Sequence, residues 1–99
     1  MINISVMVEV YPEFLEQYRE TVLRHANNSL TNEEGCLGFA VHVHENDPHR
    51  FFLYESYRSR EDIENVHKVA PYMVEFGKTT ATWTKSKEII VWEQVPPIK

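Results

Sequence analysis

The first ten residues alternate. In "INISVMVEV", Ile2, Ile4, Val6, Val8 and Val10 fall on one side, with Asn3, Ser5, Met7 and Glu9 on the other. A period of two with one apolar side predicts a β-strand that buries one face. The period then lengthens. Phe14, Leu15, Tyr18, Val22, Ala26 and Leu30 recur at three- and four-residue steps, which predicts an amphipathic helix over about residues 12–30. Pro12 suits its first turn, and Glu13 and Glu16 suit its positive end. "NEEGC" closes the helix, with Gly35 in the turn. Alternation returns over residues 36–45, where Leu37, Phe39, Val41 and Val43 oppose Gly38, Ala40, His42 and His44. "ENDPH" reads as a turn and residues 51–58 as a third strand, so 39–57 is a hairpin.

"SRED" at Ser59 resembles a capping box with Asp62 in place of the usual Glu. Ile63, Val66, His67 and Ala70 follow on one helical face. Pro71 breaks or restarts that helix, and Tyr72, Met73, Phe76, Thr80 and Trp83 continue at helical spacing. "KEIIVWEQV", residues 87–95, is the last strand. It is apolar on both sides from Ile89 to Trp92, which predicts cover on both faces.

The order is therefore β-α-β-β-α-β, the split βαβ of the ferredoxin-like α+β fold, with a four-stranded antiparallel sheet. Two helices cover only one face of such a sheet. The other face still carries Met7, Ala40 or the second side of "IIVW", and an exposed apolar face of that size calls for a partner. The pattern predicts a homodimer, sheet against sheet.

Composition narrows the functional classes. Ninety-nine residues make one domain, with its core over about 2–95. The net charge of −5, with basic residues scattered, argues against a nucleic-acid or anionic membrane surface. Cys36 is the single cysteine, so no internal disulfide framework exists. No signal peptide or membrane-length apolar run is read, and a cytoplasmic location is expected.

Three histidines, His42, His44 and His49, crowd the hairpin. His42 and His44 share one side of a strand, which is ligand geometry, and Glu55 on the paired strand is an available third ligand. His49 in the turn lies too far along. Two polar residues on the less apolar face of a strand explain the pair equally well, and no metal is expected. His25, near the end of the first helix, is given no function. His67 differs, because it lies on or beside the apolar face of its helix and should look toward the sheet. Glu55 sits among apolar residues in "FFLYESY", where it either faces solvent, pairs with a cation such as Arg50 or Arg58, or serves a site. Tyr54 and Tyr57 leave the strand on opposite sides, so only one shares the face of Glu55. Tyr72 is placed to close a pocket mouth. Cys36 reads as packing. Motifs for nucleotide phosphates, a nucleophilic serine or paired cysteines are absent, and no cofactor is expected.

The segment "EEGCLGFAVHVHENDPHRFFLYESYRSREDIENVHKVAP" resembles the antibiotic biosynthesis monooxygenase family. The shared features are the E-x-G-C-L-x-F turn, the D-P-x-R-F hairpin, the L-Y-E-x-Y strand and the H-K-x-x-P helix end. Within the family the likeness is strongest to quinol monooxygenases and autoinducer-phosphate isomerases, with a one-residue difference in spacing between Tyr57 and His67. The haem-degrading branch uses an Asn, a Trp and a His. Asn3 matches the first, but Val66 and Phe76 stand where the others are expected. The resemblance implies a dimeric α+β barrel and a mostly apolar pocket between sheet and helices. It implies a cofactor-independent monooxygenase that deprotonates a quinol, phenol or other enolisable small molecule. The alternatives are a diketone isomerase and a non-catalytic binding module. In this reading His67 is the base, Glu55 orients it and Tyr72 assists. Asn3, Phe39, Tyr54, Tyr57 and Phe76 contribute to substrate binding.

Overall fold

The alternating N-terminal segment becomes an interior strand of the sheet. In the computed structural model, which describes residues 1–98, β1 (Ile2–Val10) lies between β3 (Asp47–Tyr57) and β4 (Thr84–Glu93). β2 (Cys36–His44) forms the far edge, giving the order β2-β3-β1-β4 with every pair antiparallel. Helix α1 (Leu15–Asn32) follows β1 through a 3₁₀ turn at Pro12–Phe14. A π-helical turn (Asp62–His67) and helix α2 (Pro71–Thr80) separate β3 from β4. This is the ferredoxin-like β-α-β-β-α-β arrangement, and no helix among the described residues is long and apolar enough to cross a membrane.

Register decides which side chains meet. Ile4 stands opposite Glu55 on β3 and Val91 on β4, and Val6 opposite Leu53 and Ile89. One face therefore gathers Ile2, Ile4, Val6, Val8, Val10, Phe39, Phe51, Leu53 and Tyr57 into the core. α1 lays Tyr18, Val22, His25, Ala26 and Ser29 against it at the three- and four-residue steps of its stripe. Fully burying a valine such as Val22 contributes on the order of 1.5–3 kcal/mol.

Three expectations change. β4 begins at Thr84 and ends at Glu93, and the described residues cover neither of its sides. Ile89 and Val91, on the helical side, are 57% and 49% exposed, and Ile90 and Trp92, on the open side, are 36% and 50% exposed. The helices pack over the other three strands, so the doubly apolar run finds no partner among the described residues. In the hairpin, β3 starts at Asp47 rather than 51, because the Asp47 carboxylate accepts from the His49 N–H and Arg50 Nε, both at 3.0 Å, and stiffens the segment. Val66 is exposed rather than on the buried face. The Lys68 N–H bonds the Ile63 carbonyl at 2.9 Å, five residues back. That wider turn keeps Ile63 and His67 inward while Val66 swings out.

The "SRED" cap forms as a network. The Asp62 N–H donates to Ser59 Oγ at 3.2 Å, Ser59 Oγ donates to Asp62 Oδ2 at 2.7 Å, and the Arg58 guanidinium forks onto both Asp62 oxygens at 3.0 Å. Those bonds, Arg58's first, hold the Asp62 carboxyl below its ordinary range. Gly35 lies directly against this carboxylate, and a Cβ there would stand 2.3 Å from Asp62 Cγ. Its carbonyl also accepts from the Arg58 N–H at 2.8 Å. Close approach, not an unusual dihedral, is why glycine is required. Gly35→Ala is expected to lower unfolding stability by about 1–3 kcal/mol, as overpacking does. Urea titration of the two proteins measures it; equal midpoints and slopes would show that the turn yields without cost.

Candidate active site

Five polar side chains converge beneath the helices, carried by four local devices. Glu33 caps the C-terminal end of α1, its N–H closing the last turn on the Ser29 carbonyl at 3.1 Å. Glu55 and Tyr57, two apart on β3, face the helices. His67 ends the π-helical turn, and Tyr72 follows Pro71 in the first turn of α2.

His67 is the hub. Nδ1 lies 3.0 and 3.1 Å from the two oxygens of Glu33, and Nε2 lies 3.6 Å from Glu55 Oε1. Tyr57 donates to Glu55 Oε1 at 2.7 Å, and Tyr72 donates to Glu33 Oε2. The chain of polar contacts thus runs Tyr72–Glu33–His67–Glu55–Tyr57. Glu33, Glu55 and His67 are all buried. Burial raises the pKa of Glu55, with the Tyr57 bond and the nearby imidazole opposing it. Both phenols are pushed upward by burial, Tyr57 next by Glu55 and Tyr72 next by Glu33, so they act as hydrogen-bond donors rather than phenolates.

Beside the hub is His25, on the buried side of α1. Its ring stacks on Phe76 with centroids 4.1 Å apart and planes within 8°, and meets Phe39 edge-on at 5.5 Å. It lies 5.7 Å from the His67 ring and 6.0 Å from Tyr72. Burial, and then the neighbouring His67, lower its pKa to about 4. A cleft of about 250 Å³ between α1 and α2 is walled by His25, Tyr72 and Phe76, with Thr21, Asn28 and Thr79 among its other residues.

The expected residues divide by face. Glu55, Tyr57, His67 and Tyr72 come together as expected, and Phe39 and Phe76 hold His25. Asn3 and Tyr54 lie on the open face of the sheet, opposite Trp92 and Ser5 respectively, and do not join them. His67 does not face an open pocket: it is enclosed between carboxylates, and Tyr72 is the cluster member that reaches the cleft. The carboxylate nearest to His67, the one placed to orient it, is Glu33 rather than Glu55. His42 lies across from Phe52 on the open face, away from Glu55, which removes Glu55 as a third ligand beside it. Burial pushes the Cys36 thiol up to about 11, in keeping with packing. A shallow concavity of about 680 Å³ on the open face, around Met7, His42, His44 and Phe52, contains none of the five convergent groups.

Two participants escaped the sequence reading. Glu33 left a signal, since an acidic group at the negative end of a helix is unfavourable without compensation. His25 left another, since it sits next to Ala26 and three residues from Val22, inside the apolar stripe.

The antibiotic biosynthesis monooxygenase family model matches residues 1–78. The chain belongs to that family. A candidate antibiotic biosynthesis monooxygenase from Nitrosomonas europaea is similar in structure, with 25% identity over 97% of this chain and 100% of the other, at a TM-score of 0.89. A candidate family member from Deinococcus radiodurans has 17% identity over 100% and 97% of the two chains, also at 0.89. One from Bacteroides thetaiotaomicron has 19% identity over 99% and 93%, at 0.88. The last two likenesses speak for the fold alone. No curated protein matches the sequence.

The buried cluster predicts a pH signature. Free histidine titrates near 6.5 and folded His25 near 4, so the unfolded chain binds more protons between those values. Stability from His25 is therefore present above about 6.5 and lost as pH falls toward 4. Glu55, raised above its ordinary value, acts oppositely: its contribution is lost as pH rises through its folded pKa. Subtracting a His25→Phe variant isolates the histidine. The stability difference, wild type minus variant, is expected to climb with pH by about 1 kcal/mol per unit over this window. Chemical denaturation at several pH values reads it, and a flat difference would mean that His25 is solvated in the folded state.

Proposed function

We propose that this family member is a cofactor-independent monooxygenase of a small quinol or phenol held in the cleft between α1 and α2. The supporting observation is the polar chain from Tyr72 at the cleft to the buried Glu33–His67 pair. The substrate hydroxyl gives its proton to the Tyr72 oxygen while the Tyr72 proton moves to Glu33. Glu33 and His67, in direct contact, take up that proton as one unit. Glu55, across the ring, balances the imidazolium. The electron-rich anion reduces oxygen directly. Carbon–oxygen bond formation gives a peroxide, and loss of water leaves a carbonyl, with one oxygen atom in the product and one in water. Removing a positioned acid–base group costs on the order of 10²–10⁴ in rate. His67→Gln and Tyr72→Phe should each fold and slow quinol-dependent oxygen uptake by at least about tenfold. An oxygen electrode measures this against a panel of quinols and diketones. Diketone isomerisation without oxygen uptake would replace the oxygenase reading with an isomerase one.

The reading includes a homodimer formed through the open sheet face. Met7, Phe52, Tyr54, Ile90 and Trp92 expose an apolar surface there, and β4 is uncovered on both sides. A stable interface of this kind buries at least about 1,000 Å² in total. Sedimentation at micromolar concentration should show a dimer and Met7→Glu should shift it toward monomer; a monomeric wild type would sink the assignment.

A further inference from the structure

Ser29 is fully buried on the inner side of α1, and its hydroxyl has no hydrogen-bond partner among the described residues. Inside a helix a serine hydroxyl ordinarily reaches solvent or the carbonyl one turn back. An unmade bond at a buried hydroxyl lowers stability, so such an atom in a native interior calls for a reason. Alanine at this position would avoid the cost and favour the helix.

The neighbours of Ser29 supply the reason. It stands one turn after His25 and one turn before Glu33, whose N–H closes on the Ser29 carbonyl at 3.1 Å. Tyr72, from the first turn of α2, lies against both of those residues. Its ring is 6.0 Å from the His25 ring, and its hydroxyl donates to Glu33 Oε2. Tyr72 therefore spans the turn that Ser29 occupies. Burial and then Glu33 raise the Tyr72 pKa, and the Ser29 hydroxyl opposes them by favouring the phenolate.

Bond directions define the role. Tyr72 gives its single proton to Glu33, so its oxygen is left to accept. The Ser29 hydroxyl has its proton unused, and a hydroxyl proton turns to suit its surroundings. As the Tyr72 proton passes to Glu33, negative charge grows on the phenol oxygen. A hydrogen bond to a charged oxygen is stronger than one to a neutral group.

We propose that Ser29 is a positioning residue for Tyr72: its hydroxyl donates to the Tyr72 oxygen as the Tyr72 proton moves to Glu33, and holds that oxygen at the head of the polar chain. The inference rests on the proton path of the proposed function, but its titration and stability readouts need no substrate. Tyr72→trifluorotyrosine makes the phenol more acidic and brings its ionisation into the range where the fold holds. Fluorine NMR follows that ionisation. In this background Ser29→Ala should raise the phenol pKa by at least about one unit, through loss of one charge-assisted bond. Ser29→Thr, which keeps the hydroxyl, should leave it within about half a unit of the Ser29 protein. In the chain that keeps Tyr72, Ser29→Ala should unfold at the same or a higher urea midpoint, because it removes an unsatisfied group. On a quinol that wild type oxidises, it should lower kcat by about three- to tenfold with KM within about twofold. The inference is overturned if the phenol pKa is unchanged in Ser29→Ala or rises equally in Ser29→Thr. A lower urea midpoint with an unshifted pKa would make Ser29 a packing residue. A shifted pKa in a chain that oxidises no quinol would leave the bond standing and remove only the monooxygenase reading. Quinol oxidation at the wild-type kcat in Ser29→Ala would do the reverse.

Discussion

Glu33 and His67 lie 34 positions apart in the chain and meet at 3.0 Å in the interior. Neither is tolerable there alone. A buried polar group left without its partner costs about 1–3 kcal/mol. The contact therefore constrains everything that carries it. The end of α1 must stop where Glu33 can turn inward, and the π-helical turn must deliver His67 to the same point. Tyr72, bonded to the same carboxylate, fixes where α2 begins. Glu55 ties the assembly to the sheet from the other side of the ring. The helical layer is in this sense hung on one imidazole.

The same contact explains why the turn before β2 is so crowded. Glu33 is followed within two residues by Gly35, whose missing side chain admits the Asp62 carboxylate. Asp62 opens the turn that ends at His67. A short stretch thus positions both partners of the pair, one through the chain and the other through the close approach.

The sheet is loaded unequally. Its helical side is closed over β1, β3 and the start of β2, whereas β4 and the open face carry apolar side chains into solvent. Apolar area of this kind is worth about 25 cal/mol per Å² once removed from water. The two sides therefore differ: one builds the polar chain and cleft, and the other leaves apolar side chains exposed.

How much of this could be read beforehand follows from range. Alternation in 2–10 and the stripe of Tyr18, Val22 and Ala26 are local patterns, and local sterics with one-sided burial convert them directly into β1 and α1. Element order, the capping network at Ser59 and the shared face of Glu55 and Tyr57 follow from the same short-range rules. Whether His67 met solvent, substrate or carboxylate did not. Its partner Glu33 is brought to it by the packing of α1 against the sheet, which no spacing encodes. The π-helical turn that exposes Val66 depends on hydrogen bonds reaching five residues back, and helical periodicity does not reveal it. Asn3 and Tyr54 were separated from the cluster by register, since adjacent residues on a strand face opposite ways and only pairing says which way is in. The sequence by itself thus determined the elements and their apolar faces, because those are set by neighbours along the chain. The tertiary structure alone decided which buried polar groups touch and where the cleft opens, because those depend on distances between segments that the chain brings together only on folding.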